Sequence, residues 1–185
     1  RFSPSIFFFG FTRSHFFRIS SVFARADSSA GGSFLRMPST GEGEGVSAAA
    51  VLTETQRNLY DGIGEGELAL ASVMAARTLV EQEPDYAYVS ARLLLDKLRT
   101  EVLSFVLGAP TSASQADMAV RYGEYFPAYI KTGIKAELLD PDLARFDLKK
   151  IAAALKPERD LAFQFLGLQT LYDRYFLHER GNRIE

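Results

Sequence analysis

The 185 residues contain no cysteine. That excludes disulfides, thiolate metal sites and thiol chemistry from anything these residues do by themselves. Histidine is nearly as scarce, with only His15 and His178. Neither has spaced Cys, His or carboxylate neighbours, so each reads as an ordinary residue and not as a metal ligand. Long apolar runs are missing too. None approaches the roughly 20 residues that a membrane-spanning helix needs. Excess charge of one sign is also absent: the net charge of −2 gives no general attraction to nucleic acid or to an anionic membrane. Neither a Gly-x-Ser-x-Gly elbow nor a His-Glu-x-x-His pair occurs. The glycines of "TGEGEG" and "DGIGEGE" do not form a phosphate loop. No Lys-Ser/Thr follows them, and their interleaved carboxylates would repel phosphate. Asp140, Asp142 and Asp147 are spaced as turn and cap residues, without the dense pattern of a calcium loop.

What is present is the composition of a soluble globular protein, 47% hydrophobic and 24% charged, with room for one domain and a tail. The first 36 residues stand apart, with five arginines, one acidic residue (Asp27) and many Ser and Phe. Such a basic, Ser-rich, acid-poor leader has the composition of an organellar transit peptide; alternatively Met37 is the true start and what precedes it is translated upstream sequence. Residues 38–50, "PSTGEGEGVSAAA", read as a linker unable to bury much. Residues 1–50 are therefore set aside as a disordered, targeting or artefactual leader, and the fold is expected in 51–185.

In that span the apolar period is helical. "TETQ" has the form of a capping box, with Thr53 as N-cap of a short helix running through "RNLYD" to Gly62. Glu67 opens "ELALASVMAARTLVEQE", whose Leu68, Ala71, Ala75 and Leu79 share a face. Pro84 ends that helix and Asp85 is placed to cap the next. There Tyr88, Ala91, Leu95, Leu98, Val102 and Phe105 form an apolar stripe about six turns long. Arg92, Asp96 and Arg99 fall opposite and read as a solvated face. "GAPTSAS" breaks the helix. The following one is expected to be interrupted near Pro127, whose ring clashes with the preceding turn. "LDPDL" is a turn or helix start, and Asp147 caps a short helix halted before Pro157. "ERDLAFQFLGLQTLYDR" reads as one last helix, with Leu161, Phe165, Leu168 and Leu171 on one side. Tyr175–His178 then form a strand, Arg180-Gly181-Asn182 a turn and Arg183–Glu185 a returning strand, an incomplete β-hairpin. The fold class is mainly α, and the residues alone reveal no active site.

The wording adds what periodicity does not. "LTETQRNLYDGIGEGELALASVMAARTLVEQEPDYAYVSARLLLDKL" closely resembles the N-terminal helical region of the large, catalytic subunit of ribonucleotide reductase. Pro84-Asp85-Tyr86 followed by Ser90-Ala91-Arg92-Leu93-Leu94-Leu95 matches one of that region's most recurrent patterns. "YFPAYIKTGIKAELLDPDLARFDL" and "ERDLAFQFLGLQTLYDRYFL" continue the resemblance in the same order, so that it covers about residues 51–185. It implies an enzyme that reduces ribonucleoside diphosphates to deoxyribonucleoside diphosphates for DNA synthesis. In that family a cysteine thiyl radical starts the reaction and further cysteines supply the electrons. The radical comes from a small (beta) partner subunit with a di-metal site, thioredoxin or glutaredoxin restores the reduced state, and ATP and dNTP effectors regulate a large-subunit homodimer. Family members are usually cytoplasmic; an organelle is the alternative if residues 1–36 are a transit peptide.

The departures matter as much. The family's catalytic cysteines and phosphate loops belong to an α/β barrel that follows the helical region, and residues 1–50 show no trace of the regulatory ATP-cone that often precedes it. No catalytic, cofactor-binding or metal-binding residue is therefore assigned to any position here. The helices read as a shell that leaves apolar surface exposed for the rest of the subunit. The rival reading is a non-catalytic helical interaction module that binds a partner chain. A reading frame continuing into cysteine-bearing sequence separates the first from the second. A split gene, with the barrel supplied as a separate chain, is a third possibility that co-purification tests.

Overall fold

The structure, a computed structural model, describes residues 45–185; the leader and most of the linker lie outside the described residues. Among these, six α-helices run in the order α1 (Ala48–Gln56), α2 (Glu65–Thr78), α3 (Tyr86–Leu107), α4 (Met118–Lys135), α5 (Leu148–Ala153) and α6 (Phe165–Arg174). Single 3₁₀ segments intervene at Leu79–Glu81, Pro141–Arg145 and Pro157–Ala162. A hairpin of β1 (His178–Glu179) and β2 (Asn182–Arg183) follows α6. The mainly α class is as expected.

Helix α3 is the axis of the assembly. At 22 residues it extends about 33 Å at 1.5 Å per residue. It packs against α2, α4, α6 and β2, while α1 lies on α2 and α5 on α4. Its N-terminal half enters a core of Val51, Val73, Val89, Leu94, Phe165 and Leu168. Its C-terminal half enters a second, formed by Leu98, Val102, Leu103, Ala113, Met118 and Tyr125. Tyr172 and Phe176 touch both and join them. Each fully buried aliphatic side chain of this kind stabilises the fold by about 1.5–3 kcal/mol relative to exposure.

Being surrounded changes the meaning of α3's faces. The stripe from Tyr88 to Phe105 does turn inward, although Tyr88 and Phe105 at its ends are only half-buried. The opposite face is not solvated: Arg92 is 5% exposed and Arg99 9%. A helix packed on several sides buries whatever its sequence places there, and long Arg stems supply apolar surface of their own. Burial lowers the Arg92 pKa, opposed by the charge of Asp85 and the Tyr88 phenol.

Other expectations shift locally. Helix α1 starts at Ala48, capped by Ser47, whose Oγ accepts from Ala50 N at 3.4 Å. Thr53 is therefore an exposed residue inside the helix, and the helix ends before "RNLYD". Three alanines directly after a serine make that earlier start the better one. Helix α2 begins at Glu65, and Glu67 acts on its cap: Oε2 accepts from Gly64 N at 3.1 Å and from the Tyr60 hydroxyl at 2.9 Å. Asp85 occupies the N-cap position of α3 in helical conformation and makes no capping hydrogen bond. Helix α4 runs unbroken through Pro127. The missing Pro127 N–H would have bonded the carbonyl of Gly123, an exposed residue whose oxygen water can reach instead. The segment 158–174 is two elements, since the chain is extended at Phe163 and Gln164 between the 3₁₀ turn and α6.

The helix stop and the caps follow the sequence, but the hairpin is shifted: Tyr175–Leu177 lie before the strand, which is His178–Glu179, and Asn182 belongs to the returning strand and not to the turn. Gly108, at φ 71°, ends α3 in the left-handed conformation glycine tolerates best. Arg180 and Gly181, at φ 52° and 85°, form the two-residue loop that pairs His178 with Arg183 and Glu179 with Asn182. The returning chain continues the pairing, with Ile184 N donating to Leu177 O at 2.9 Å. Asp140 and Asp147 cap their segments, accepting from Asp142 N at 2.8 Å and Lys150 N at 3.1 Å.

Candidate functional site

The most structured polar region lies along the C-terminal half of α3, where charges enter the second core in two clusters. In the first, Arg99 Nη2 donates to Asp160 Oδ2 at 2.9 Å and also bonds the side-chain oxygen of Gln115. The Tyr122 hydroxyl donates to the same Asp160 carboxylate, at 2.9 and 3.1 Å. Gln115 Nε2 in turn reaches the Pro157 carbonyl at 2.6 Å. This cluster ties α3 and α4 to the Pro157–Ala162 turn. The ion pair is nearly enclosed, with side-chain exposures of 10% for Arg99 and 15% for Asp160.

The second cluster sits half a turn further on. Glu101 Oε1 accepts from the Arg183 backbone N at 3.0 Å and from Arg183 Nη1 at 3.2 Å, and its Oε2 accepts from the Tyr172 hydroxyl at 2.9 Å. Lys97 lies 3.5 Å from Glu101 and bonds the Tyr172 hydroxyl. The Arg183 guanidinium stacks 3.4 Å above the Tyr172 ring. Burial alone would raise the Glu101 pKa. The Arg183 amide, the Tyr172 hydroxyl and the Lys97 and Arg183 charges outweigh it and hold Glu101 below the usual carboxylate range.

Tyr122, Tyr125 and Tyr129 share one face of α4. Tyr125 and Tyr129 stack at 5.9 Å and 21°. The Tyr125 hydroxyl bonds the Ile184 carbonyl, and the Tyr129 hydroxyl donates to Glu185 Oε2 at 2.8 Å. Burial raises the pKa of all three phenols well above the ordinary tyrosine value, and neighbouring carboxylates reinforce it. A cavity of about 80 Å³ lies between α3 and α4, walled by Leu98, Val102, Leu103, Met118, Tyr125 and Glu185 among others.

This chemistry suits holding these elements together. The phenols are kept neutral and are engaged as donors, and the Arg99 and Arg183 guanidiniums are paired. Among the described residues no group of three His, Cys, Asp or Glu side chains could hold a metal ion. His178 is exposed, its Nδ1 3.3 Å from the Phe176 carbonyl; His15 lies outside the described residues. Among the described residues no helix is long and apolar enough to cross a membrane. The sequence reading assigned no site residue, and it missed both clusters. Asp160 is 61 residues from Arg99 and Arg183 is 82 from Glu101, separations at which no local pattern announces a partner.

No protein-family model matches the chain. Individual relatives do. The chain is 44% identical over 139 residues to the ribonucleoside-diphosphate reductase subunit alpha of Chlamydia muridarum, covering 74% of this chain and 13% of that protein. It is 29% identical over 141 residues to the subunit of the same name from Helicobacter pylori, covering 75% of this chain and 16% of that protein. The ribonucleoside-diphosphate reductase large subunit of Danio rerio is 26% identical over 140 residues, 76% of this chain and 17% of its own length. The chain thus spans less than a fifth of the length of these curated relatives. Their similarity extends over about three quarters of its residues, and on that ground the chain belongs to the family of ribonucleoside-diphosphate reductase large (alpha) subunits, matching a segment of them.

Proposed function

We propose that these residues form the N-terminal helical portion of a ribonucleoside-diphosphate reductase large subunit, with 51–185 as its helical domain. In the whole protein this portion supports the reduction of ribonucleoside diphosphates to deoxyribonucleoside diphosphates. The observation that carries the reading is the similarity to proteins of that name along most of the chain. The helices act as a scaffold. With no cysteine in the sequence, any thiyl chemistry must be supplied by other residues of the protein. Exposed Leu70 and Met74 on α2, Phe146 and Ile151 near α5, and Leu166 on α6 are apolar surface available to the remainder of the subunit. The partners of the whole protein are a radical-generating small subunit and a thioredoxin or glutaredoxin. Its effectors are ATP and deoxynucleoside triphosphates, its assembly a large-subunit dimer, and its compartment the cytoplasm.

The test is to express the complete reading frame containing these residues and to assay conversion of CDP to dCDP with a small subunit, ATP and dithiothreitol. Conversion by the whole protein, and none by the 185-residue chain alone, is expected. A complete frame that encodes no cysteines, or a whole protein inert under these conditions, would overturn the proposal.

A further inference from the structure

The hairpin is too short to hold itself. Its strands are two residues each, and an isolated ribbon even of several residues is marginal in water. What fixes it are groups on three helices. From α3, the Glu101 carboxylate takes both the backbone N–H and the guanidinium of Arg183. From α6, the Tyr172 carbonyl accepts from Arg183 Nε at 2.7 Å, beneath the stacked guanidinium. From α4, Tyr125 and Tyr129 hold the Ile184 carbonyl and the Glu185 carboxylate. Glu185 then reaches back across the ribbon, its Oε1 accepting from Leu177 N at 2.9 Å. Ile184 is fully buried, but the ribbon's other side chains are half-buried or exposed.

Attachment is thus mainly polar, directional and shared between two fastenings, Glu101 on one helix and the tyrosine pair on another. The ribbon's own bonds, Ile184 N to Leu177 O and Leu177 N to Glu185, link the fastenings, so one cannot yield without loading the other. The helical cores on either side are apolar clusters that include none of residues 177–185. Glu185 also forms one wall of the α3–α4 cavity, so movement of the ribbon uncovers Leu98, Val102, Leu103 and Met118.

From this geometry we infer that residues 177–185 are a strap across the α3–α4 cavity, clasped at Glu101 and at Tyr125/Tyr129, which opens as one cooperative unit while the helices stay folded. This is a conformational device of the segment itself, and it does not rest on the enzymatic reading. Local opening of such units at free energies below global unfolding is a general property of folded domains.

The test is amide hydrogen exchange by NMR on the whole 185-residue chain, comparing wild type with Glu101→Gln and, separately, Tyr125→Phe. The reporters are the amides of Leu177, Arg183 and Ile184 in the strap and of Val89 and Leu94 in mid-α3. Loss of charge-assisted bonds in Glu101→Gln should speed strap exchange by about tenfold or more, and loss of one hydroxyl in Tyr125→Phe by about fivefold. In each variant the three strap amides should accelerate by a common factor, with Val89 and Leu94 unchanged. Tyr125→Phe removes a single oxygen and keeps the ring, so it remains informative should Glu101→Gln be too destabilised to study. Acceleration confined to the amide nearest the altered group would overturn the inference. Equal acceleration of the α3 amides would overturn it too, because opening would then be global.

Discussion

Replacing Asp160 by alanine would remove the only carboxylate bonded to Arg99 among the described contacts, along with the acceptor for Tyr122. The guanidinium cannot relax into solvent easily, since its side chain is only 10% exposed and its other bond is to the neutral Gln115. Breaking a buried pair by removing one partner costs about 3–5 kcal/mol. The residual exposure of both groups, 10% and 15%, places the expected loss at the lower end, about 3 kcal/mol. For a domain of this size that corresponds to a fall in melting temperature of roughly 9 °C, at about 3 °C per kcal/mol. Asp160 lies in a 3₁₀ turn, so alanine brings no competing loss of helix. The assay is urea denaturation of the 185-residue chain followed by circular dichroism, for wild type, Asp160→Ala, Arg99→Met and the double variant. Coupling of about 2 kcal/mol is expected, with the double variant less destabilised than the sum of the singles, because it leaves no charge behind. A loss below about 1 kcal/mol for Asp160→Ala, or simple additivity across the cycle, would refute the view that this pair closes the junction.

Further predictions concern titration and close packing. Glu101 has a folded pKa below its unfolded value, so its contribution is fully present above the ordinary glutamate range (about 4.3) and is lost as pH falls through the lower folded value. Urea midpoints should therefore decline on acidification below about pH 4.5 more steeply in wild type than in Glu101→Gln, and parallel curves would contradict the assignment. Tyr122, Tyr125 and Tyr129 have folded pKa values above the unfolded one, so their contribution is complete below about pH 10 and is lost as pH rises beyond it. In an absorbance titration at about 295 nm, these three of the eight tyrosines should ionise only together with loss of helical signal. Gly133→Ala would set a Cβ 2.5 Å from Leu139 Cδ1, where the chain doubles back after α4. A cost of about 1–3 kcal/mol in chemical denaturation is expected, and a neutral result would show that Leu139 swings aside freely.

The elements that sequence made legible are those with local causes. Gly108, the Arg180-Gly181 turn and the caps at Asp140 and Asp147 are each decided within four residues, and they lie where the chemistry of those residues puts them. The inward stripe of α3 was visible for the same reason. Illegible was anything set by what surrounds an element. Helical spacing groups Arg92 and Arg99 on one face but carries no information about whether another helix covers it. The split between the Pro157–Ala162 turn and α6 escaped because Phe163 and Gln164 contain no breaker, and the continuity of α4 escaped because Pro127 does look like one. The single helix expected over 158–174 would not set Asp160 against Arg99, whereas the turn that carries it does.

Helix α3 also works as a ruler. In its first turn the Tyr86 hydroxyl accepts from the Ser47 backbone N at 2.9 Å, and four turns later Glu101 takes the backbone N of Arg183. The two grips are 15 residues apart on one unbroken helix, about 22 Å at 1.5 Å per residue. Residues 136 positions apart in the chain are thereby referred to a single rigid length, with no dependence on the loops between them. An insertion in any of those loops would leave the spacing untouched, whereas one extra residue between Tyr86 and Glu101 would turn the two grips about 100° out of phase.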